Sequence, residues 1–457
     1  MTVTLAPGQL ERLNRPGPRY TSYPTVPVWS RDFTAADHAA ALDDLARQPD
    51  TGVAVYAHHP YCVKRCHYCG CNAAVSGCAD EVDRYLDALE RELELVTARI
   101  GRRRIVQMHW GGGTPNFLKT RQLERAFGMF ADRFSFAPDA EISLETDPRV
   151  GTPEQAAQLR ELGFNRVSLG VQDFSRRVQV AIGRVQPEKL TTSFFRACRE
   201  VGFESVNVDL VYGLPHQTPE LFGETLARAI DLGPDRVACF GYAHVPWARE
   251  NQRQIDETAL PRTAAKFALF QQAVETFTGA GYRWIGLDHF ARPDDELSRA
   301  HAERRLHRNF MGYTTRPALD LLAFGASGIS EVAGRFAQND ADLLGYRESV
   351  DRDELPVVRG LRLSDDDRLR RFVILELMCN LTLPHAATVP EFGAPVDELL
   401  PEALGRLAPV VAEGLAVIHP DRLEVTELGR YFLRNVAMAF DAYLDDSEEK
   451  PLFSRTV

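Results

Sequence analysis

Apolar and polar positions change period along this chain in a regular order. Val53-Ala-Val-Tyr56-Ala is a short apolar run of β type. Asp80 to Ile100 then places apolar residues at Val82, Tyr85, Leu86, Leu89, Leu93, Val96 and Ile100, the spacing of one helix face. The exchange repeats. Strands are expected at Ile105–Trp110, Glu141–Thr146, Arg166–Gln172, Ser205–Leu210, Arg236–Tyr242 and Tyr282–Leu287, about seven before residue 290. Between them lie helical patterns at Thr120–Phe134, Pro153–Leu162, Leu190–Val201, Leu221–Leu232 and Arg262–Thr278. Strands alternating with helices of this length predict parallel βα units of an α/β fold, for which a barrel or partial barrel is the economical closure.

The flanks read differently. Arg15-Pro-Gly-Pro-Arg19-Tyr-Thr-Ser-Tyr-Pro24-Thr cannot form regular structure and predicts an extended strap packed over a site, followed by a helix over Phe33–Gln48. Beyond residue 290, Leu322-Ala-Phe-Gly325-Ala-Ser-Gly328-Ile329-Ser is Gly-dense and of a cavity-lining type. Helices are expected at Asp365–Met378 and Leu399–Glu413, with a β-wing over Gly414–His419 and Arg422–Arg430, a mainly helical, winged-helix-like ending. The expected units are 1–50, 51–290, 291–360 and 361–457.

Composition narrows the function classes. The 457 residues, 44% hydrophobic, suffice for a sizeable core, and a net charge of -11 argues against a general nucleic-acid binder. Five of the eight cysteines fall between Cys62 and Cys78, a metal-loop distribution rather than a disulfide framework. Met1 to Leu10 has neither a basic stretch nor an apolar run, and no segment approaches about 18 uninterrupted apolar residues. These features predict a soluble protein of a reducing cytoplasm, with no membrane insertion.

The polar signals fall at strand ends: the cysteine loop, Gly111-Gly-Gly-Thr-Pro115, Glu145, Gln172, Asp209 and Tyr242-Ala243-His244. In a parallel barrel these ends share one rim, so distant residues would line one cavity. Cys62, Cys66 and Cys69, spaced C-x3-C-x2-C, suit an iron-sulfur loop better than a tetrahedral zinc site. Three thiolates leave one iron of a four-iron cluster open. Cys71 stands one residue from Cys69, too close for both to reach neighbouring irons easily, and is read as a neighbour with a second role. The glycines would let backbone approach a ligand. Glu145, Gln172 and Asp209 are either rim polar groups or acceptors for a ligand, and Arg184 is either a surface charge or, as a ligand residue, a bidentate partner for a carboxylate.

The cysteine spacing resembles the signature of the radical S-adenosylmethionine enzymes. The whole chain resembles one branch of them, the oxygen-independent coproporphyrinogen III oxidases. The resemblance rests on Pro16 to Thr25, the C-x3-C-x2-C-x-C loop, Trp110 to Pro115, Val206 to Pro215, Leu287-Asp-His-Phe-Ala-Arg-Pro-Asp-Asp-Glu296, Asn309 to Thr315 and Phe440. It implies a radical-SAM partial (β/α)6-type barrel, one 4Fe-4S cluster on Cys62, Cys66 and Cys69, and two S-adenosylmethionine molecules. Tyr56, Gly112, Glu145 and Ile329 would surround the first. Tyr68, Gly113, Thr114, Gln172, Arg184, Asp209 and Ala243 would surround the second. Cys71, Tyr56, Phe310 and Met311 would stand closest to the chemistry.

The implied reaction is oxidative decarboxylation of the ring A and B propionates of coproporphyrinogen III to vinyl groups, by a 5'-deoxyadenosyl radical. The implied partners are that substrate and a low-potential electron donor such as flavodoxin or ferredoxin, acting on a monomer. The chain departs from the family at His59, Tyr61 and Tyr68 in the cysteine loop. It departs again at Met311, where the family has glutamine and a thioether cannot donate a hydrogen bond. A haem-delivering relative without enzymatic activity also carries the cysteine loop, but the strap and the Cys69-Gly70-Cys71 ending favour the enzyme. A radical methyltransferase or haem-opening relative is a further alternative.

Overall fold

The computed structural model describes residues 3–316, 320–444 and 453–456. Six strands, Val53–His59, Arg104–Gly112, Ser135–Thr146, Arg166–Gln172, Ser205–Tyr212 and Arg236–Gly241, pair in chain order and in parallel. Helices Ala79–Ile100, Thr120–Arg133, Pro153–Leu162, Glu188–Glu200 and Pro219–Leu232 make the crossovers. Local chemistry sets their limits. Thr152 and Thr218 accept the backbone N–H groups of Gln155 and Leu221 as N-caps, proline takes the first turn, and Gly163 and Gly233 end both helices in left-handed conformation.

The sheet grows to twelve strands by extension at both edges. Leu321–Phe324 joins the first strand in parallel and leads into the antiparallel strands Ile329–Val332, Arg335–Asn339 and Val357–Arg362. The two outermost strands, Val357–Arg362 and Arg283–Gly286, do not pair with each other, so the barrel is partial.

The seventh strand of the expected series is corrected. Arg283–Gly286 pairs antiparallel with His289–Ala291, which in turn pairs antiparallel with the sixth strand. Only Leu287 and Asp288 separate the two, whereas a parallel crossover needs a dozen residues or more. The apolar run Leu321-Leu-Ala-Phe324, every residue buried, is the strand that adjoins the barrel in parallel on the other side.

The core lies between sheet and helices. Trp110 is fully buried, its ring 5.0 Å from Phe164 and 6.2 Å from Phe130, which in turn meets Phe324 at 5.7 Å. The strap packs against the end of the chain: Tyr20 donates to Asp441 at 2.9 Å and Tyr23 accepts the Ala442 N–H at 3.0 Å. In the C-terminal region, Thr382–Pro384, Arg422–Val425 and Ala416–Ile418 form a three-stranded sheet. The helix expected over Leu399–Glu413 is instead three short ones, Val396–Leu399, Pro401–Arg406 and Ala408–Ala412, because Pro401 and Pro409 start new first turns. No helix of the described residues is long and apolar enough to cross a membrane.

The long helix Ala79–Ile100 buries all seven expected apolar positions and one carboxylate, Glu92, only 2% exposed. Glu92 accepts from Gly325 N at 2.7 Å, Tyr346 Oη at 2.7 Å and Asn339 Nδ2 at 2.6 Å, and so joins the helix to the Leu321–Asn339 segment. Burial pushes its carboxyl up to about 7 against those three donors. With the folded value above the unfolded one, this group contributes stability below about pH 4.5 that is lost as pH rises through 7. The difference in thermal midpoint between Glu92→Gln and the parent should therefore move in favour of the variant from pH 5 to pH 8. Glu92→Ala strands three buried donors and should destabilise by several kcal/mol at either pH, at about 1–3 kcal/mol for each unsatisfied group. Thermal unfolding of the three proteins at both pH values checks both outcomes.

Candidate active site

The first strand ends at His59, and the short strand Tyr61–Cys62 pairs with Ala74–Val75 to close the cysteine loop. Two neighbouring amides from a distant segment hold this loop. Asn251 Nδ2 donates to the carbonyls of Cys66, His67 and Cys69 at 3.1, 3.0 and 2.9 Å, and Gln252 Nε2 donates to that of Tyr68 at 2.9 Å. The His67 N–H donates to Ile182 O at 2.9 Å. Nothing in the sequence marks Asn251 or Gln252, which lie in a polar connector without a motif.

Each thiol meets a different environment. Cys66 is buried and receives Arg184 Nη1 at 3.7 Å and Arg149 Nη2 at 3.8 Å. Asp147 sits between the two guanidinium groups, 2.9 Å from Arg184 and 2.6 Å from Arg149. Cys69 is pulled down to about 6, chiefly by the hydrogen bond from Cys71, whose backbone N–H also points at its sulfur. Burial pushes Cys62 up to about 11, although Thr114 Oγ1 lies 3.2 Å from its sulfur. Cys71 is exposed. Cys198, Cys239 and Cys379 are buried, with thiols raised by desolvation, and Cys78 is exposed at the surface. Among the described residues no three His, Cys, Asp or Glu side chains are gathered as for a single metal ion.

The glycine run abuts the cysteine loop. Gly113 N donates to His59 O at 2.8 Å and Thr114 N to Tyr61 O at 3.0 Å. A Cβ on Gly113 would stand 2.5 Å from Pro60 O, and one on Gly112, with φ at +111°, would meet the His58 ring. Glycine is thus required at 113 by backbone packed against backbone and at 112 by the left-handed backbone and the His58 ring. Gly112 N donates to Glu145 Oε2 at 3.2 Å, and Glu145 Oε1 is 3.6 Å from His109 Nε2. Tyr56 stacks on His109 with ring centroids 6.1 Å apart, while its hydroxyl meets His58 Nδ1 at 3.1 Å; His58 Nε2 reaches Asn72 O at 2.8 Å.

The remaining strand ends complete the rim. Gln172 holds a left-handed backbone at φ +70°. Asp209 accepts from Ser168 Oγ and Asn207 Nδ2, both at 2.7 Å, and burial raises its carboxyl to about 7. Both terminal nitrogens of Arg184 are engaged within the protein, the second donating to Gly170 O at 2.6 Å. Tyr68 packs against the apolar cluster of Val178, Ile182 and Tyr242. Ala243, between Tyr242 and His244, lines a cavity of about 1480 Å³ together with Tyr212 and Asp288.

Phe310 and Ile329 join a separate cluster around Trp29 and Phe336, with Phe310 6.0 and 5.9 Å from the two rings. Met311 occupies the turn between His307–Asn309 and Gly312–Thr314, its N–H donated to Asn309 Oδ1 at 2.8 Å. His59 is buried with its ring 4.5 Å from that of Trp110, so its departure from the family pattern is absorbed in the core beneath the loop.

Residues 56–229 match the model of the Radical SAM superfamily, and residues 363–432 match that of the HemN C-terminal domain. The chain is 43% identical to the oxygen-independent coproporphyrinogen III oxidase of Salmonella typhimurium, across 98% of this chain and 97% of that one. The enzyme of the same description from Synechocystis is 41% identical, across 100% and 99%. Among solved structures, coproporphyrinogen III oxidase (HemN) from Escherichia coli, described as a radical SAM enzyme, superposes with a TM-score of 0.92 at 40% identity, over 97% of this chain and 100% of that one.

The loop-holding role of Asn251 is open to direct measurement. Asn251→Leu removes three side-chain bonds, each worth about 0.5–1.5 kcal/mol. Hydrogen exchange followed by mass spectrometry should show faster exchange confined to the peptide around residues 62–71 and the segment Glu250–Gln254. Unchanged exchange at the loop would contradict that role.

Proposed function

We infer the function of this chain from one premise: it belongs to the oxygen-independent coproporphyrinogen III oxidases, a radical S-adenosylmethionine family. The chain is an oxidoreductase of porphyrin biosynthesis that converts propionate side chains of coproporphyrinogen III to vinyl groups by oxidative decarboxylation. The observation that carries this reading is a full-length match joined to a rim on which the cysteine loop, the glycine run and Glu145 are hydrogen-bonded to one another. Two propionates, on rings A and B, would react to give protoporphyrinogen IX.

The residues present fit a 4Fe-4S cluster. Three thiols share one loop, the buried one faces two guanidinium groups, and Cys69 is already drawn toward the thiolate that iron requires. Cys62, Cys66 and Cys69 would hold the cluster, leaving one iron open, and two S-adenosylmethionine molecules would bind along the rim. Bound together, these groups would supply the radical chemistry that removes hydrogen at the propionate β-carbon.

The chain's own residues place and shield the reactants. Arg184 and Arg149 offset the negative charge gathered at Cys66. Glu145, oriented by Gly112 N, accepts from a ligand ammonium, and Asp209 accepts from a ribose hydroxyl. Tyr56, fixed by His58 and His109, would wall one side, and Phe310 and Ile329 would approach from their own cluster with Trp29 and Phe336. Cys71, hydrogen-bonded to Cys69, would not be among the residues that hold the cluster. A low-potential donor such as flavodoxin or ferredoxin would supply the electron to a cytoplasmic monomer.

Anaerobic reconstitution followed by turnover with coproporphyrinogen III tests the reading, and absence of any vinyl product would reject it. Replacing Cys62, Cys66 or Cys69 with Ala should abolish iron and sulfide binding, whereas Cys78→Ala, Cys198→Ala, Cys239→Ala and Cys379→Ala should retain both. Cys71→Ala should keep the cluster's absorption and lose decarboxylation; loss of the cluster would make Cys71 a ligand. Met311→Gln restores an amide and should lower half-saturation by S-adenosylmethionine by about two- to ten-fold, the worth of one ordinary hydrogen bond, with iron content unchanged. Cofactor titration during anaerobic turnover reads that change.

A further inference from the structure

The cavity beside Ala243 is larger than the roughly 300–1,000 Å³ of pockets for drug-sized ligands, at about 1480 Å³. Its walls come from the strap, the ends of the fifth and sixth strands, the helix Thr263–Gly279 and the C-terminal region. Arg19, Lys266 and Arg434 are among the eight cationic side chains that line it. Arg19 is paired with Asp288 and lies 5.9 Å from the Phe240 ring centroid. Lys266 Nζ donates to Tyr242 O at 3.0 Å and stands 5.9 Å from the Tyr212 ring centroid. Arg434, 7% exposed, donates to the carbonyls of Pro18, Arg455, Ser454 and Gly17 and pairs with no carboxylate among the described residues.

The carboxylates lining the same cavity do not balance these charges. Of the four, Glu11 and Glu413 act on Arg12, Asp441 accepts from Tyr20, and Asp288 serves Arg19 while also feeling the buried Arg308, whose Nε and Nη1 lack partners. Asp288 raises the Arg19 guanidinium, while the other two cations are lowered. Lys266 is pulled down to about 8 by burial and then by Arg434 and Arg19, and Arg434 down to about 10 by burial and then by Arg19. Arg434 is buried, whereas Arg19 and Lys266 are half-buried and open to the cavity, so an anion entering it can reach both. Two of the three ammonium donors of Lys266, and the guanidinium donors of Arg19 beyond its bond to Asp288, have no hydrogen-bond partner among the described residues.

We propose that Arg19 and Lys266 form a carboxylate clamp that holds one propionate of the tetrapyrrole substrate in this cavity, with Arg434 as a fixed charge behind it and Asp288 orienting Arg19. The clamp rests on the substrate inferred above. It places the tetrapyrrole between the strap and the ends of the fifth and sixth strands, with the Ala243 segment on one wall. Neither clamp residue is next to the cysteine loop in sequence.

The test is fluorescence titration of the reconstituted holoenzyme with coproporphyrin III, the oxidised tetracarboxylate that binds without turning over. Lys266→Met and Arg19→Gln should each raise Kd by roughly ten-fold or more, the loss expected for a hydrogen bond to a charged group, with a weaker salt dependence than the parent. Lys266→Arg keeps the charge and should stay within a few-fold of the parent. If Lys266→Met and Arg19→Gln bind as tightly as a parent that does bind, the clamp is wrong while the decarboxylase reading stands. If Lys266→Arg loses as much affinity as Lys266→Met, packing rather than charge is responsible and the clamp is again overturned. A parent that neither binds coproporphyrin III nor forms vinyl product overturns both readings.

Discussion

The buried pairing of Arg184 with Asp147 is the constraint on which the rim depends. Asp147 follows the third strand, Gly170 lies in the fourth, Arg184 follows the short helix Arg176–Ala181, and Cys66 belongs to the loop after the first strand. One guanidinium touches all three others. Burial alone would raise the Asp147 carboxyl, yet Arg184 and Arg149 hold it below its ordinary value. Such a pair adds little net stability, because desolvation offsets attraction, but removing one partner leaves an uncompensated charge at a cost of about 3–5 kcal/mol. Its contribution is therefore to specify one arrangement of strand ends. Two cations and one carboxylate also leave a net positive charge beside Cys66, the sign that suits a thiolate.

The loop itself could not hold its shape by local interactions. Its carbonyls point away from any regular ladder and need donors from elsewhere, and Asn251 and Gln252 supply them. A side-chain amide is apt because it can reach several carbonyls at once without bringing charge to the site. The glycine run does the same from the other side, at a separation that any side chain would prevent.

What the sequence reveals follows from which signals are local. The six parallel strands and their helices are legible because burial on both sheet faces produces long apolar runs that alternate with a helical period. The cysteine loop and the strand-end carboxylates are legible because spacing and position carry them. The hairpin after the sixth strand is not, since Arg283–Gly286 has the same composition as a barrel strand and only the two-residue connection to His289 decides its direction. Glu92 escapes notice because a carboxylate within an apolar helix stripe reads as an interruption until Gly325, Asn339 and Tyr346 arrive from more than 230 residues away to satisfy it. The two amides at 251 and 252 are invisible for the same reason: their partners are backbone atoms, which leave no mark in the sequence.

Charge at long range and charge at the site oppose each other here. A net charge of -11 repels an anionic substrate at a distance, but the repulsion is screened beyond roughly 8–10 Å at physiological ionic strength. Recognition of carboxylates must then be carried by cations close enough, and dry enough, to act inside that length. Lys266 and Arg434 are both lowered, first by burial and only then by the neighbouring cations, whereas Asp288 raises Arg19. An anion held between them would offset both the burial and the like charge, as the proposed clamp requires. The strap fits this economy: Arg434 grips its backbone at Gly17 and Pro18, and Arg19, two residues from Gly17, lines the cavity next to Asp288. Order in the strap and charge in the cavity are thereby secured by one set of contacts.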